Sequence, residues 1–192
     1  MNRIILASQS VGRRMLFERF FDKFEIHPAY VDEEKVTGKP SRIVVKLSIL
    51  KAKKVSEIFP EDFVCGFDTV VVCNGKVVGK PKDREEAKEY LKFLSGKIQS
   101  VYSGFCIVNK KINLFKYGYS KALLKFAKVS DEWIEEYVKN NPVTLFAGGY
   151  AIQNNDRLIK ILWGDRDTII GAPMKKVLKI LNIKIKNLWT NF

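Results

Sequence analysis

Histidine is nearly absent from this 192-residue chain: His27, in FEIHPAY, is the only one. That leaves no set of candidates for Ser-His-Asp catalysis, and among apolar neighbours His27 reads as a packing or surface residue. Cysteine is scarce too. Cys65, Cys73 and Cys106 are odd in number and lack C-x-x-C spacing, which argues against a zinc site. Set among Val, Ile and Phe, they read as small core residues in a reducing compartment. No run approaches the roughly 20 apolar residues of a membrane span. IILA is too short and too soon followed by charge to serve as a secretory signal. The expectation is a soluble, cytoplasmic protein. Acidic residues are few as well, 21 against 34 Lys and Arg, for a formal charge of +13. Compositional bias, a polyanionic partner and a polyphosphate substrate remain open as its cause.

What is present is 46% hydrophobic sequence patterned for alternating strands and helices, with no repeat or linker. RIILA reads as a buried strand, and Ser10 caps a helix through VGRRMLFERFF with 15, 16, 17, 20 and 21 facing inward. KFEIHPAYV reads as a second strand. Pro40 opens a long helix to about Ile58, with Val44, Val45, Leu47, Ile49, Leu50, Val55 and Ile58 as its apolar side. DFVCGFDTVVVCNGKVVG reads as a strand interrupted at Asp68, then turned at Asn74-Gly75 into a hairpin. Asp83 caps REEAKEYLKFL, which Ser95-Gly96 stops. Two long paired strands are expected between Val101 and Ala127, a helix after Ser130, a strand at RLIKILW, a helix opened by Pro173, and a last strand at IKNLW. The fold class is α/β, a mixed twisted sheet flanked by helices.

Several short stretches could carry chemistry. LASQSVGRR breaks an apolar strand with Ser8 and Ser10 where a helix begins, and helix-terminal N–H groups favour anions. Arg13 adds a planar fork suited to phosphate oxygens. Asp68 interrupts VCGFDTVVV, so it is expected at a strand break facing a cleft, in an ion pair, or on a metal, unless it is a plain turn residue. Lys80 in GKP and Lys51 in KLSILKA each point either to solvent or into a cleft. Asp32, Glu33 and Glu34 form an acidic loop. AGGYAIQ unites two glycines, an aromatic and Gln153, whose amide suits a base edge. GDRDTIIGAP reads as a glycine-rich loop followed by a proline-opened helix.

Taken in order, LASQS-x-x-R, V-D-E, KA-x-x-V, G-x-DTVV, GKP, SG, AGGYAIQ and GD-x-x-x-x-x-G-x-P span residues 4 to 174, and this series resembles the Maf family of nucleotide pyrophosphatases. The resemblance implies one domain over residues 1–192 with two lobes around a deep cleft, and hydrolysis of a nucleoside triphosphate to monophosphate and pyrophosphate with Mg²⁺ or Mn²⁺. It implies Asp68 as catalytic acceptor, Ser8, Arg13, Lys51 and Lys80 as phosphate-facing groups, and Glu33 with Asp68 as metal partners. Thr69 and Gln153 resemble the branch acting on dTTP and UTP rather than the one acting on 7-methyl-GTP. A homodimer is the family habit.

The chain departs from that pattern at Val11 and Gly12, where the pyrimidine branch usually shows Pro and Arg. Arg14 is no substitute, because one helical step rotates a side chain by about 100°. Gly12 thus bears on base selectivity, with a broader or 7-methyl-GTP specificity as the alternative. Gln99, Asn154 and Ala172 are further departures. Two non-enzyme classes compete, a septum regulator and a basic nucleic-acid binder using Phe115, Tyr117, Tyr119 and Phe126. The lysines are dispersed in sequence and no recognition motif occurs, so no specific nucleic acid is expected.

Overall fold

The computed structural model describes residues 3–33, 35–152 and 156–183. Glu34, Gln153, Asn154 and the strand expected at IKNLW lie outside them.

β1 (Ile4–Leu6) leads to α1 (Val11–Phe20), β2 (Glu25–Ile26), α2 (Pro40–Ser56), the hairpin β3 (Phe63–Cys73) and β4 (Lys76–Val78), and α3 (Arg84–Leu94). The chain continues through β5 (Ile98–Asn109), β6 (Leu114–Phe126), α4 (Asp131–Asn140), β7 (Ile159–Trp163), α5 (Arg166–Ile170) and α6 (Met174–Ile180). The strands form a seven-stranded mixed sheet, ordered β2-β1-β3-β5-β6-β7, with β4 also on β3. β2 and β3 pair parallel with β1, and the remaining pairs are antiparallel.

Local chemistry accounts for the boundaries. Ser10, Asp83 and Ser130 accept from backbone N–H groups of the helices they cap. Asn74 (φ 48°) and Gly75 (φ 77°) both adopt the left-handed conformation that a type I′ hairpin turn requires.

β3 forks the sheet. Its first residues, Phe63 to Cys65, pair with β1, and its last, Val71 to Cys73, pair with β4 on the same edge. Between them that edge opens at Gly66 to Val70. The expectation of a strand interrupted at Asp68 is therefore corrected: β3 runs through Asp68 without a break, paired with Gly104 of β5, and it is the neighbouring strand that stops.

Helix α2 lies unusually close to this part of the sheet. A Cβ on Gly66 would fall 2.5 Å from the Ser48 carbonyl oxygen and 2.7 Å from the Ala52 nitrogen, and one on Gly104 would meet the Val44 carbonyl. The two glycines let helix backbone rest on strand backbone.

Other inward assignments also change. Met15, Leu50 and Ile58 are exposed, because α1 buries only Gly12, Leu16 and Phe17, while α2 turns Ser48, Lys51, Ala52 and Ser56 inward. The second strand shrinks to two residues. Phe126, expected with Phe115, Tyr117 and Tyr119 on a nucleic-acid-binding face, is instead fully buried against Tyr150. GDRDTIIGAP is not only a loop: Asp165 accepts from Thr168 N and caps the short helix α5. The three cysteines are free and buried, as expected, and His27 packs edge-on against Phe59.

Candidate active site

The fork in the sheet opens into a cleft of about 600 Å³, within the usual range of ligand pockets. Its walls carry Ser8, Arg13, Glu33, Lys51, Asp68 and Lys80. The fold thus brings together every described residue for which a phosphate, metal or catalytic role was expected.

On the α1 side, Ser8 follows β1 and is 8% exposed. Its Oγ accepts from Ser10 N (3.2 Å) and from Arg13 Nη1 (3.1 Å). A hydroxyl has two lone pairs and one hydrogen, so Ser8 is left as a donor. Arg13 is held at three points: Nε donates to Gly171 O (3.0 Å), Nη1 to Ser8, and Nη2 to Thr69 Oγ1 (3.0 Å). One N–H on each terminal nitrogen remains for a ligand. Burial lowers the guanidinium pKa, against the opposing pull of Asp68 and Glu33, yet arginine stays charged.

Thr69 is fixed in turn. Its hydroxyl lies 3.0 Å from Ser103 Oγ, and Ser103 donates to the Thr168 carbonyl at 2.7 Å. Because that contact uses the only hydroxyl hydrogen of Ser103, Thr69 is the donor to Ser103 and the acceptor from Arg13. The chain Arg13–Thr69–Ser103–Thr168 links α1, β3, β5 and α5. Thr69, expected to bear on base selectivity, lines the cleft with its hydroxyl engaged by Arg13 and Ser103.

Across the cleft, Lys51 rises from α2, only 6% exposed. Its Nζ lies 2.7 Å from Asp68 Oδ1 and 2.7 Å from Glu33 Oε1, so one ammonium clamps two carboxylates. Burial pushes the Asp68 carboxyl upward in pKa, while Lys51 and Arg13 pull it down and Glu33 pushes it up again; the net direction is up. For Glu33 burial also pushes up, but Lys51, Lys80 and Arg13 outweigh it and the net direction is down. Two carboxylates a few ångströms apart are thereby held in unequal proton affinity. Lys80 reaches the rim from the turn after β4, where partial desolvation lowers its pKa.

The cleft also has apolar lining: Val11, Tyr30, Val77 and Leu145 border it with considerable exposure. The AGGY turn is anchored below: Gly148 N donates to Gly79 O at 2.8 Å, and Tyr150 donates to Gln99 Oε1 at 2.8 Å. Gly148 and Gly149 both have positive φ, near 75°. Gly12 is buried and lines the cleft at the start of α1.

A family model described as Maf-like protein matches residues 3–183. The chain belongs to the Maf family. It is 38% identical over 195 residues to the dTTP/UTP pyrophosphatase of Pyrococcus furiosus, spanning 98% of this chain and all of that protein. The protein of the same name from Pyrococcus abyssi is 35% identical (95% and 97% of the two chains), and that of Clostridium tetani 36% (92% and 95%).

In this Maf chain, sequence reasoning missed Ser103, Thr168, the Gly171 carbonyl and Gly104, and it included Gly66 in G-x-DTVV without its contact with α2. Only the glycines and Ser103 left a signal. Ser103-Gly104 interrupts VYSGFCIV and Gly66 sits in VCGF, both unusual inside runs otherwise built from β-branched, aromatic and Cys residues. Carbonyl acceptors leave no trace in residue type.

Proposed function

We propose that the protein is a nucleoside triphosphate pyrophosphatase acting on dTTP and UTP, releasing the monophosphate and pyrophosphate. The observation that carries this reading is the Lys51 clamp on Asp68 and Glu33, set in a cleft whose other wall presents Arg13 and Ser8 as donors. The names of the relatives support the substrate class. We read residues 1–192 as one domain whose two lobes flank the fork. The three buried thiols fit a reducing, cytoplasmic setting.

The triphosphate lies with its phosphates along Ser8, Arg13, Lys51 and Lys80. The free N–H pair of Arg13 and the Ser8 hydroxyl face phosphate oxygens, and the start of α1 adds its N-terminal dipole. Asp68, its pKa raised by burial yet held ionised by Lys51 and Arg13, accepts the proton of a water directed at the α-phosphorus. The cations stabilise charge gathering on the departing pyrophosphate, and no covalent intermediate is needed. The base lies against the apolar side chains that line the cleft.

The donor set fits a divalent cation. One oxygen of Asp68 and one of Glu33 already share a single ammonium, so they cannot stand farther apart than twice 2.7 Å. Among the described residues no third carboxylate, His or Cys joins them, which matches Mg²⁺ sites completed by phosphate oxygens and water. Asp68 and Glu33 would hold the ion, whose chemistry is charge neutralisation and polarisation of the phosphoryl group.

The test is product analysis with Mg²⁺ or Mn²⁺ over dTTP, UTP, CTP, GTP and 7-methyl-GTP, beside Asp68→Asn. Pyrophosphate and monophosphate from the pyrimidines, with turnover about 10²–10⁴-fold lower in the variant, is the expected result. Preference for 7-methyl-GTP overturns the substrate, and full activity in the variant overturns the role of Asp68.

A further inference from the structure

A second surface lies outside the cleft, on the far side of α2. Phe115, Tyr117 and Tyr119 recur at every second position of β6, so they share one face at steps of about 6.8 Å. They are 40%, 55% and 44% exposed. Phe115 and Tyr117 have ring centroids 5.4 Å apart, and Tyr119 lies 6.2 Å from Tyr102 of β5, extending the row across the sheet. The outer edge of β6 carries no strand here among the described residues, since β7 pairs with it only from Leu123 onward, and at Tyr119 the backbone carbonyl accepts from Lys176 of α6.

Helix α2 borders this row with positive charge. Lys53 Nζ sits 5.3 Å from the centre of the Phe115 ring. At the other end, Tyr119 is the strand partner of Gly104, where the Val44 carbonyl touches the sheet. Nine helical residues rise about 13.5 Å and four strand residues about 13.5 Å, so α2 keeps pace with β6 over this length. Arg42 and Lys46, exposed and at helical spacing with Lys53, continue the stripe. Lys121 closes the row with its Nζ 5.4 Å from the Tyr102 ring. None of β5, β6 and β7 contains Asp or Glu, and Glu57, next along the helix stripe, is taken by Lys110.

We propose that this strip binds single-stranded RNA without sequence preference. A row of exposed rings suits unstacked bases, and the flanking cations suit the backbone that joins them. A second copy of the chain is the poorer occupant, because a two-fold contact would bring together two strips of the same positive sign, with no Asp or Glu in β5, β6 or β7 to offset them. Tyrosine hydroxyls favour RNA, whose 2′-hydroxyl can exchange hydrogen bonds with them. The lysines look dispersed in sequence, and the fold gathers some of them on one face.

The experiment is fluorescence anisotropy with the full chain and a labelled, 5′-hydroxyl RNA of about ten nucleotides over a salt series. Tyr117→Ala with Tyr119→Ala is expected to weaken binding by about tenfold or more. Lys46→Ala and Lys121→Ala, which remove charge but no stacking ring, should each lower the salt slope by about one. All these positions are exposed or half-exposed, and an unchanged melting temperature checks the fold. Unaltered RNA binding in the tyrosine pair overturns the proposal, as does a dimer in sedimentation that the pair dissociates. Equal affinity for the matching DNA strand overturns the choice of RNA. Asp68→Asn should bind RNA normally and the strip variants should hydrolyse nucleotide normally, so failure of either reading leaves the other standing.

Discussion

Replacing Gly66 by alanine adds one methyl group on the strand that carries Asp68, two residues away and on the same face. The new Cβ would lie 2.5 Å from the Ser48 carbonyl, about 0.9 Å short of ordinary contact at 3.4 Å. The atoms in the way are backbone of α2, so the helix must retreat rather than a side chain swing aside. Lys51 sits in that same turn, and its 2.7 Å contact with Asp68 would stretch past good hydrogen-bond length. Overpacking of this kind costs about 1–3 kcal/mol of stability, and each kcal/mol lowers the melting temperature by about 2–4 °C in a chain of this size. A misplacement near 1 Å in the catalytic group costs turnover about 10²-fold. The pH profile separates the two effects. Lys51 helps hold the Asp68 pKa down against burial, so weakening it moves the acid limb of kcat to higher pH. The assay is pyrophosphate release over a pH series beside a thermal melt. A variant that melts lower yet keeps full turnover and an unmoved acid limb would refute the argument that the glycine sets catalytic geometry.

Ser103→Ala removes the acceptor that orients the Thr69 hydroxyl and loosens Arg13. We expect a loss of about 1–2 kcal/mol, 5- to 30-fold in kcat/KM, carried mainly by KM, with kcat changed least. In the native enzyme the acid limb should lie above the usual carboxylate range, since Asp68 must be ionised to accept a proton and burial raises its pKa. The alkaline limb should fall below the usual lysine range, since Lys80 must be protonated to hold phosphate and its pKa is lowered. A kcat/KM profile against pH, repeated in Lys80→Arg, checks both assignments. Iodoacetamide should leave the native protein unmodified by intact-mass measurement, because burial pushes Cys106 to about 12 and Cys65 upward as well.

The elements that could be read from sequence are those specified by adjacent residues. Ser10, Asp83 and Ser130 each cap a helix with their own side chains, and Asn74-Gly75 sets its turn by its own backbone freedom. Such features need no knowledge of the rest of the chain. Asp68 shows where this stops. Its polarity inside an apolar strand is compatible with a cleft, an ion pair, a metal or a plain turn at a strand break, and β3 has no break there. The opening comes instead from β1 ending and β4 beginning on one edge, a fact held by strand register and by no residue in DTVV. Helix α2 was misread for a related reason. A stripe drawn from hydrophobicity included Leu50 and Ile58 and omitted Lys51, Ser48 and Ser56, because a close helix–sheet contact over glycine selects small side chains and the clamp selects a charge.

The same reasoning explains why the residues proposed to face phosphate can be named one by one while their support cannot. Ser8, Arg13 and Lys80 stand in motifs that carry the family resemblance, and their side chains are the donors that a phosphate needs. Arg13, however, is aimed by two hydroxyls and a carbonyl, and threonine, serine and glycine are common enough to pass unnoticed. A charged group buried at a cleft wall must have its N–H groups engaged, or the cost of desolvation is not met. Counting those donors once the fold is known leads from Arg13 to Thr69, from Thr69 to Ser103, and from Ser103 to the Thr168 carbonyl. Arg13 is therefore the end of a hydrogen-bond path through four elements, and of its support Thr69 and Gly171 stand in motifs of the family series while Ser103 stands in none.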